Sequence, residues 1–100
     1  MGTQGWVKVY RKLLANPIMH DAKLLQVFLY CLLKANHKGQ NILFNGQIIE
    51  VSSGSFIAGR NVASQDLRLK SNMWDRKLKL LEKLKIVNTQ KTNRYTIVSI

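Results

Sequence analysis

The sequence predicts an α+β domain, helical before and after a β-rich middle and closed by a second hairpin, on three observations. An apolar run from Ala22 to about Asn36 has helical composition and a polar start. The pair Asn45-Gly46 separates the β-prone runs Ile42-Leu43-Phe44 and Gln47-Ile48-Ile49-Glu50-Val51, the pattern of a two-residue hairpin whose turn residues take positive φ. Farther on, Trp74, Leu78 and Leu81 recur at i, i+4 and i+7 with basic residues opposite them.

Charge and composition bound the rest. The chain has 100 residues, 16 Lys plus Arg against 5 Asp plus Glu, and a formal net charge of +11. With 46% hydrophobic residues it is too apolar for a disordered polycation, and its size suits one modest core. A two-domain enzyme with an interdomain cleft is excluded. Residues 1–100 read as a single domain, either complete or the amino-terminal part of a longer chain. Cys31 has no second cysteine to pair with and sits in an apolar run, which predicts a core thiol and a reducing, cytoplasmic setting. Lys23 and Lys34 bracket the longest apolar run, well short of the roughly 18–20 residues of a membrane span. The first twenty residues scatter Lys8, Arg11 and Lys12 among apolar positions and do not resemble a secretory signal.

Taken in order, Trp6, Tyr10, Leu13 and Leu14 predict an amphipathic helix that ends at Asn16-Pro17. Asp21 is the predicted N-cap of the Ala22 to Asn36 helix, and Gly39 its left-handed stop. The apolar excess of that helix fits either tight packing within the domain or an exposed dimer face. Strands follow on both sides of Asn45-Gly46 and over Ser55-Phe56-Ile57, with a turn at Ser52-Ser53-Gly54 and a stop at Gly59. From Asn61 two helices are expected around a tight turn. Val62, Ala63 and Leu67 mark the first, Leu69 is the buried residue of the turn, and the second runs from Ser71 or Asn72 to about Leu84. The tail runs from Ile86-Val87-Asn88-Thr89 through a polar centre at Gln90 to Asn93 and alternates over Arg94 to Ile100, which predicts a hairpin with a basic tip.

Catalytic chemistry has little to work with. Asp21, Glu50, Asp66, Asp75 and Glu82 offer no acid–base pair on one face, and Asp75 and Glu82 are expected to form ion pairs within their own basic helix. His20, Cys31 and His37 lack the close spacing of a metal site. Neither a phosphate-binding loop nor a dinucleotide fingerprint occurs. The expectation is a protein that is not an enzyme and carries no cofactor and no metal.

The signal lies in the charge distribution: residues 60–94 carry +7 of the +11. At 100° per residue, Asn72, Arg76, Lys79 and Lys83 fall within about 50° of the direction opposite the Trp74, Leu78, Leu81 stripe. A major groove about 12 Å wide admits one α-helix, and a preceding helix can brace it across the backbone. Double-stranded DNA is the expected partner. Asn72 and Arg76, early on the helix, are the candidates for base readout, with Asn suited to adenine and Arg to guanine. Lys79, Lys83, Arg68 and Lys70 suit phosphates, and Lys91 and Arg94 on the hairpin suit a neighbouring phosphate or the minor groove. Met73 and Leu80 flank this face, either to touch thymine methyl groups or to pack under the hairpin.

Several stretches, in this order and spacing, resemble a known family: Gly5-Trp6-Val7-Lys8, Asn16-Pro17, Phe44-Asn45-Gly46-Gln47, Gly54-Ser55-Phe56-Ile57, Leu81-Glu82-Lys83-Leu84 and Asn93-Arg94-Tyr95-Thr96-Ile97. Over nearly the whole chain they are similar to the winged-helix domain of phage replisome organisers, related to the amino-terminal domain of DnaD. The resemblance implies a winged helix-turn-helix with an additional β-hairpin and amino-terminal helices, acting as a DNA-binding domain in replication initiation. It further implies self-association into a homo-oligomer through the amino-terminal helices and extra strands, and a carboxy-terminal region that engages a helicase loader. Three positions depart from the pattern. Arg68 stands where the turn usually has Gly, Lys70 where Ser would cap the recognition helix, and Lys85 where Gly would end it. Strain at a positive φ is therefore expected, with Ser71 taking over the cap, and two of the replacements add charge beside the groove. The alternatives are a winged-helix transcriptional repressor and an oligomerising scaffold. RNA binding is a minor reading, because Tyr95 is the one clear hairpin aromatic.

Overall fold

In the computed structural model, which describes residues 7–36, 38–92 and 95–100, the helix α1 (Ala22–Lys34) begins where its cap predicts. Asp21 is extended, and its Oδ1 accepts from the Leu24 N–H at 3.0 Å. The segment before it departs from expectation. Instead of an amphipathic α-helix it forms two 3₁₀ turns, Arg11–Ala15 and Pro17–His20, and Tyr10 and Leu14 face solvent at 71% and 73% exposure. Pro17 holds Asn16 in the extended region, so no turn propagates through it, and a run this short cannot repay helix nucleation. Ile18 is the residue of this segment that enters the core. Trp6, part of the same expectation, lies outside the described residues.

The end of α1 is also a correction. The helix stops at Lys34, Ala35 is extended, and Gly39 has no positive φ. Asn36 replaces the expected glycine stop by making bonds to the chain beyond. Its N–H and Nδ2 both donate to the Ser55 carbonyl (3.0 and 2.9 Å), its carbonyl accepts from the Gly54 N–H at 2.8 Å, and Oδ1 accepts from Gln40 Nε2. One side chain thus ties the helix to the strand that follows.

Strands β1 (Gln40–Phe44) and β2 (Gln47–Val51) pair antiparallel around Asn45 and Gly46, whose φ values of 49° and 79° are those of the expected turn. Strand β3 (Ser55–Ala58) follows the turn at Gly54, φ 80°. Helix α2 (Arg60–Leu67) leads through Arg68-Leu69-Lys70 to α3 (Ser71–Lys83), and β4 (Asn88–Lys91) pairs with β5 (Thr96–Ser99) as the closing hairpin. The second sheet has the order β3-β5-β4, so the last strand lies in the middle and β4 forms an edge. Among the described residues three α-helices and two antiparallel sheets make an α+β arrangement, compatible with a winged helix.

Both ends of the α2-α3 unit stop in the same way. Arg68 is left-handed at φ 54°, with its N–H bonded to the Gln65 carbonyl and the Leu69 N–H to the Ser64 carbonyl. Lys85 is left-handed at φ 62°, with its N–H on Glu82 and the Ile86 N–H on Leu81. These are Schellman stops with a basic residue where glycine is usual, and Leu69 and Ile86 supply the accompanying apolar contact by packing on the core. The cap expected of Ser71 does not form. Extended Lys70 occupies the N-cap without a side-chain bond, and Ser71 is the first helical residue.

One core cluster joins Leu24, Val27 and Cys31 of α1, Phe56 of β3, Trp74, Leu78 and Leu81 of α3, and Val87 and Val98 from the closing hairpin. Tyr30 meets Trp74 edge-on at 5.6 Å and Phe56 at 6.3 Å, so α1 grips α3 and the sheet through one aromatic ring. Of the apolar α1 surface, Leu24, Val27 and Cys31 are fully buried while Leu33 is exposed. Among the described residues no helix is long and apolar enough to cross a membrane.

Candidate nucleic-acid interface

The period that buries Trp74, Leu78 and Leu81 obliges the opposite face of α3 to project outward. Asn72, Arg76, Lys79 and Lys83 are all exposed, as are Arg68 and Lys70 in the preceding turn and Lys91 at the end of β4. Arg94, the remaining residue expected at this surface, lies outside the described residues. The described ion pairs are Arg60 with Asp75 and Lys77 with Asp21, so none of those seven side chains is neutralised by a described carboxylate.

The carboxylates near this face are held by groups of the protein itself, which corrects the expectation of pairing within α3. Asp75 Oδ2 lies 2.7 Å from Arg60 Nε of α2. Glu82 accepts from the Thr89 hydroxyl of β4, and Asp66 accepts from the Tyr30 hydroxyl of α1 at 2.9 Å. Lys77, although on α3, turns to α1 and places Nζ 2.7 Å from Asp21 Oδ2. Helical geometry explains the difference: Lys77 is about 140° from Asn72 around the axis, facing α1 rather than the outward surface.

Two pKa shifts report this bracing. The Lys77 hydrogen bond, helped by the Leu24 N–H, holds the Asp21 carboxyl below its ordinary value. Burial raises the Tyr30 hydroxyl, and its bond to Asp66 raises it further. Tyr30 therefore stays a neutral donor. Together with Gln26 Nε2, which donates to the Leu67 carbonyl at 3.0 Å, these contacts fix α2 and α3 against α1.

Between α3 and the three-stranded sheet runs a cleft of about 690 Å³, whose walls include Arg60, Asp75, Lys79, Glu82, Thr89 and Lys91. It brings Lys79 of the helix and Lys91 of the hairpin to one opening. Met73 and Leu80 are not packed under the hairpin: they stand about 160° around the helix from Asp75 and Glu82, the residues that face the sheet side. The closing hairpin also meets the first one. Phe44, beside the Asn45-Gly46 turn, meets the Tyr95 ring edge-on at 5.6 Å.

Sequence reasoning placed the outward residues of α3 but missed Arg60. Its partner Asp75 is fifteen positions away on another helix, and no local spacing signals such a contact. The candidate metal ligands do not converge, since Cys31 is buried in the core, His20 is exposed on a 3₁₀ turn, and His37 lies outside the described residues. Compared with protein-family models, with curated proteins and with solved structures, the chain finds no match in any of the three.

Proposed function

We propose that this chain binds double-stranded DNA as a winged helix-turn-helix. In this reading α3 lies in the major groove, α2 braces it across the backbone, and the β4–β5 hairpin is the wing. The observation that carries it is the division of charge: among the described residues the basic side chains of the outward face make no ion pair, whereas every carboxylate of α2 and α3 is tied to another element. A surface so arranged offers a polyanion cations without competing acids.

Asn72 and Arg76 project from the first half of α3, where base edges come within reach, while Lys79, Lys83, Arg68, Lys70, Lys91 and Arg94 meet phosphates. The six phosphate-facing cations set a slope of log affinity against log salt no steeper than about −5, at about 0.9 per phosphate. The role in replication initiation, with a helicase loader as a further partner, is supported by the motifs that resemble phage replisome organisers. Replacing Arg76 and Lys79 together by alanine tests the DNA reading. Duplex affinity at moderate salt falls at least about tenfold with the fold intact, and unchanged affinity rejects the face.

A self-assembling scaffold is the second reading, favoured by Leu43 and Ile48. They pair across β1 and β2 on the outer side of the hairpin at 74% and 75% exposure. Light scattering alongside a duplex-binding titration separates the two, since assembly without DNA affinity at low salt supports the scaffold.

A further inference from the structure

We propose that Arg60 is a phosphate-binding residue at the cleft between α3 and the closing hairpin, and that Asp75 is the positioning residue that holds its guanidinium there. The inference rests on the DNA-binding reading and adds to it a contact from α2. Arg60 is the first residue of α2, and its side chain crosses to α3, where Nε lies 2.7 Å from Asp75 Oδ2. Both side chains are about half exposed, at 57% and 50%. A pair so wet contributes little to stability, so fastening the two helices does not account for it.

Donor arithmetic gives the pair another use. A guanidinium has five N–H donors and a single carboxylate engages at most two, so at least three remain for another oxyanion. Arg60 and Asp75 line the cleft together with Lys79 and Lys91, the helix and hairpin cations assigned to phosphates above. Asp75 stands three residues after Asn72 and four before Lys79, on the flank of the reading face. Left alone, its charge would repel the backbone. Paired with Arg60, it instead fixes a planar fork suited to bidentate phosphate contact, where a lysine would supply only a point charge.

The test measures duplex affinity by fluorescence anisotropy on a mixed-sequence oligonucleotide over a series of salt concentrations, with circular dichroism confirming the fold of each variant. Arg60→Ala is expected to weaken binding roughly fivefold and to reduce the salt slope by about 0.9, while Arg60→Lys keeps the slope but not the full affinity. Arg60→Gln, which retains the stem, repeats the measurement if the alanine variant is poorly folded. The decisive reading is the sign of the Asp75→Asn effect. In the unsubstituted protein it weakens binding about twofold although it removes a negative charge, and in the Arg60→Ala background it strengthens binding. Asp75→Asn strengthening binding in both backgrounds, or Arg60→Ala leaving the salt slope unchanged, overturns the proposal. If either occurs while the Arg76 and Lys79 double variant still loses affinity, the DNA reading stands without this contact. Failure of the unsubstituted protein to bind duplex overturns both.

Discussion

Arg68→Gly is expected to make the protein more stable and a weaker DNA binder at the same time. Arg68 is held at φ 54°, ψ 41° by the bonds that stop α2, and a side chain in that conformation costs roughly 1–2 kcal/mol. Glycine removes the cost but enlarges the unfolded ensemble, which takes back about 0.4–1 kcal/mol. The net gain is about 0.5–1 kcal/mol, or roughly 3–6 °C in Tm for a domain of this size. Lys85, at φ 62°, carries the same conformation at the other end of a thirteen-residue helix, about 20 Å away, so Lys85→Gly should add a similar and independent increment. Urea and thermal melts read the stability. Duplex titrations read the cost, which for Arg68→Gly is a salt slope smaller by about 0.9. If both glycine variants melt at or below the unsubstituted protein, the strain argument is refuted. If Arg68→Gly binds duplex with an unchanged slope, Arg68 does not face the backbone.

Two further outcomes follow from the bracing of α3 and the packing of α1. Asp21→Asn keeps a good N-cap but loses the charge opposite Lys77, and it should cost about 0.5–1 kcal/mol at pH 7. Asp21→Ala should lose about 1 kcal/mol more with the cap. Because the folded carboxyl is depressed, its contribution is present above the ordinary carboxylate pKa and fades as pH falls through the folded value. The gap between Asp21→Asn and the unsubstituted protein in melts should therefore close below about pH 4; a gap that persists at pH 2 contradicts the pairing. Burial pushes the Cys31 thiol up to about 12, so a thiol reagent at pH 8 should label it only as the domain opens, with a rate that rises in step with unfolding by urea. Labelling of the native protein as fast as a small free thiol would place Cys31 outside the core.

What the sequence made legible was local. Asn45-Gly46 fixed a hairpin because a type I′ turn needs two positive φ values that few residue pairs tolerate, and Asp21 fixed the start of α1 because its side chain bonds three residues on. The outward face of α3 was legible for the same reason, as burying Trp74, Leu78 and Leu81 determines what lies opposite. Arg68 and Lys85 were readable as departures from glycine, and the backbone at both is left-handed. The opening segment misled because apolar spacing at Tyr10, Leu13 and Leu14 carries no information on whether a partner surface exists to bury all three. Contacts between elements were out of reach altogether. Asp75 looked surrounded by lysines and arginines of its own helix, yet it reaches Arg60; Lys77 looked like one more surface cation, yet it is bound to Asp21. Asn36 gave no sign of joining α1 to β3, because all its partners lie on the chain beyond the helix end.

A residue-resolved NMR titration with a mixed-sequence duplex at about 50 mM salt reads out whether the outer face of α3 is the surface that meets DNA. The signals of Asn72, Arg76, Lys79 and Lys83, with those of Arg68 and Lys91, are expected to move first and furthest. Signals of Leu43 and Ile48 on the other hairpin should stay in place. Shifts confined to that hairpin or to the 3₁₀ turns, with α3 unmoved, would contradict DNA binding by α3.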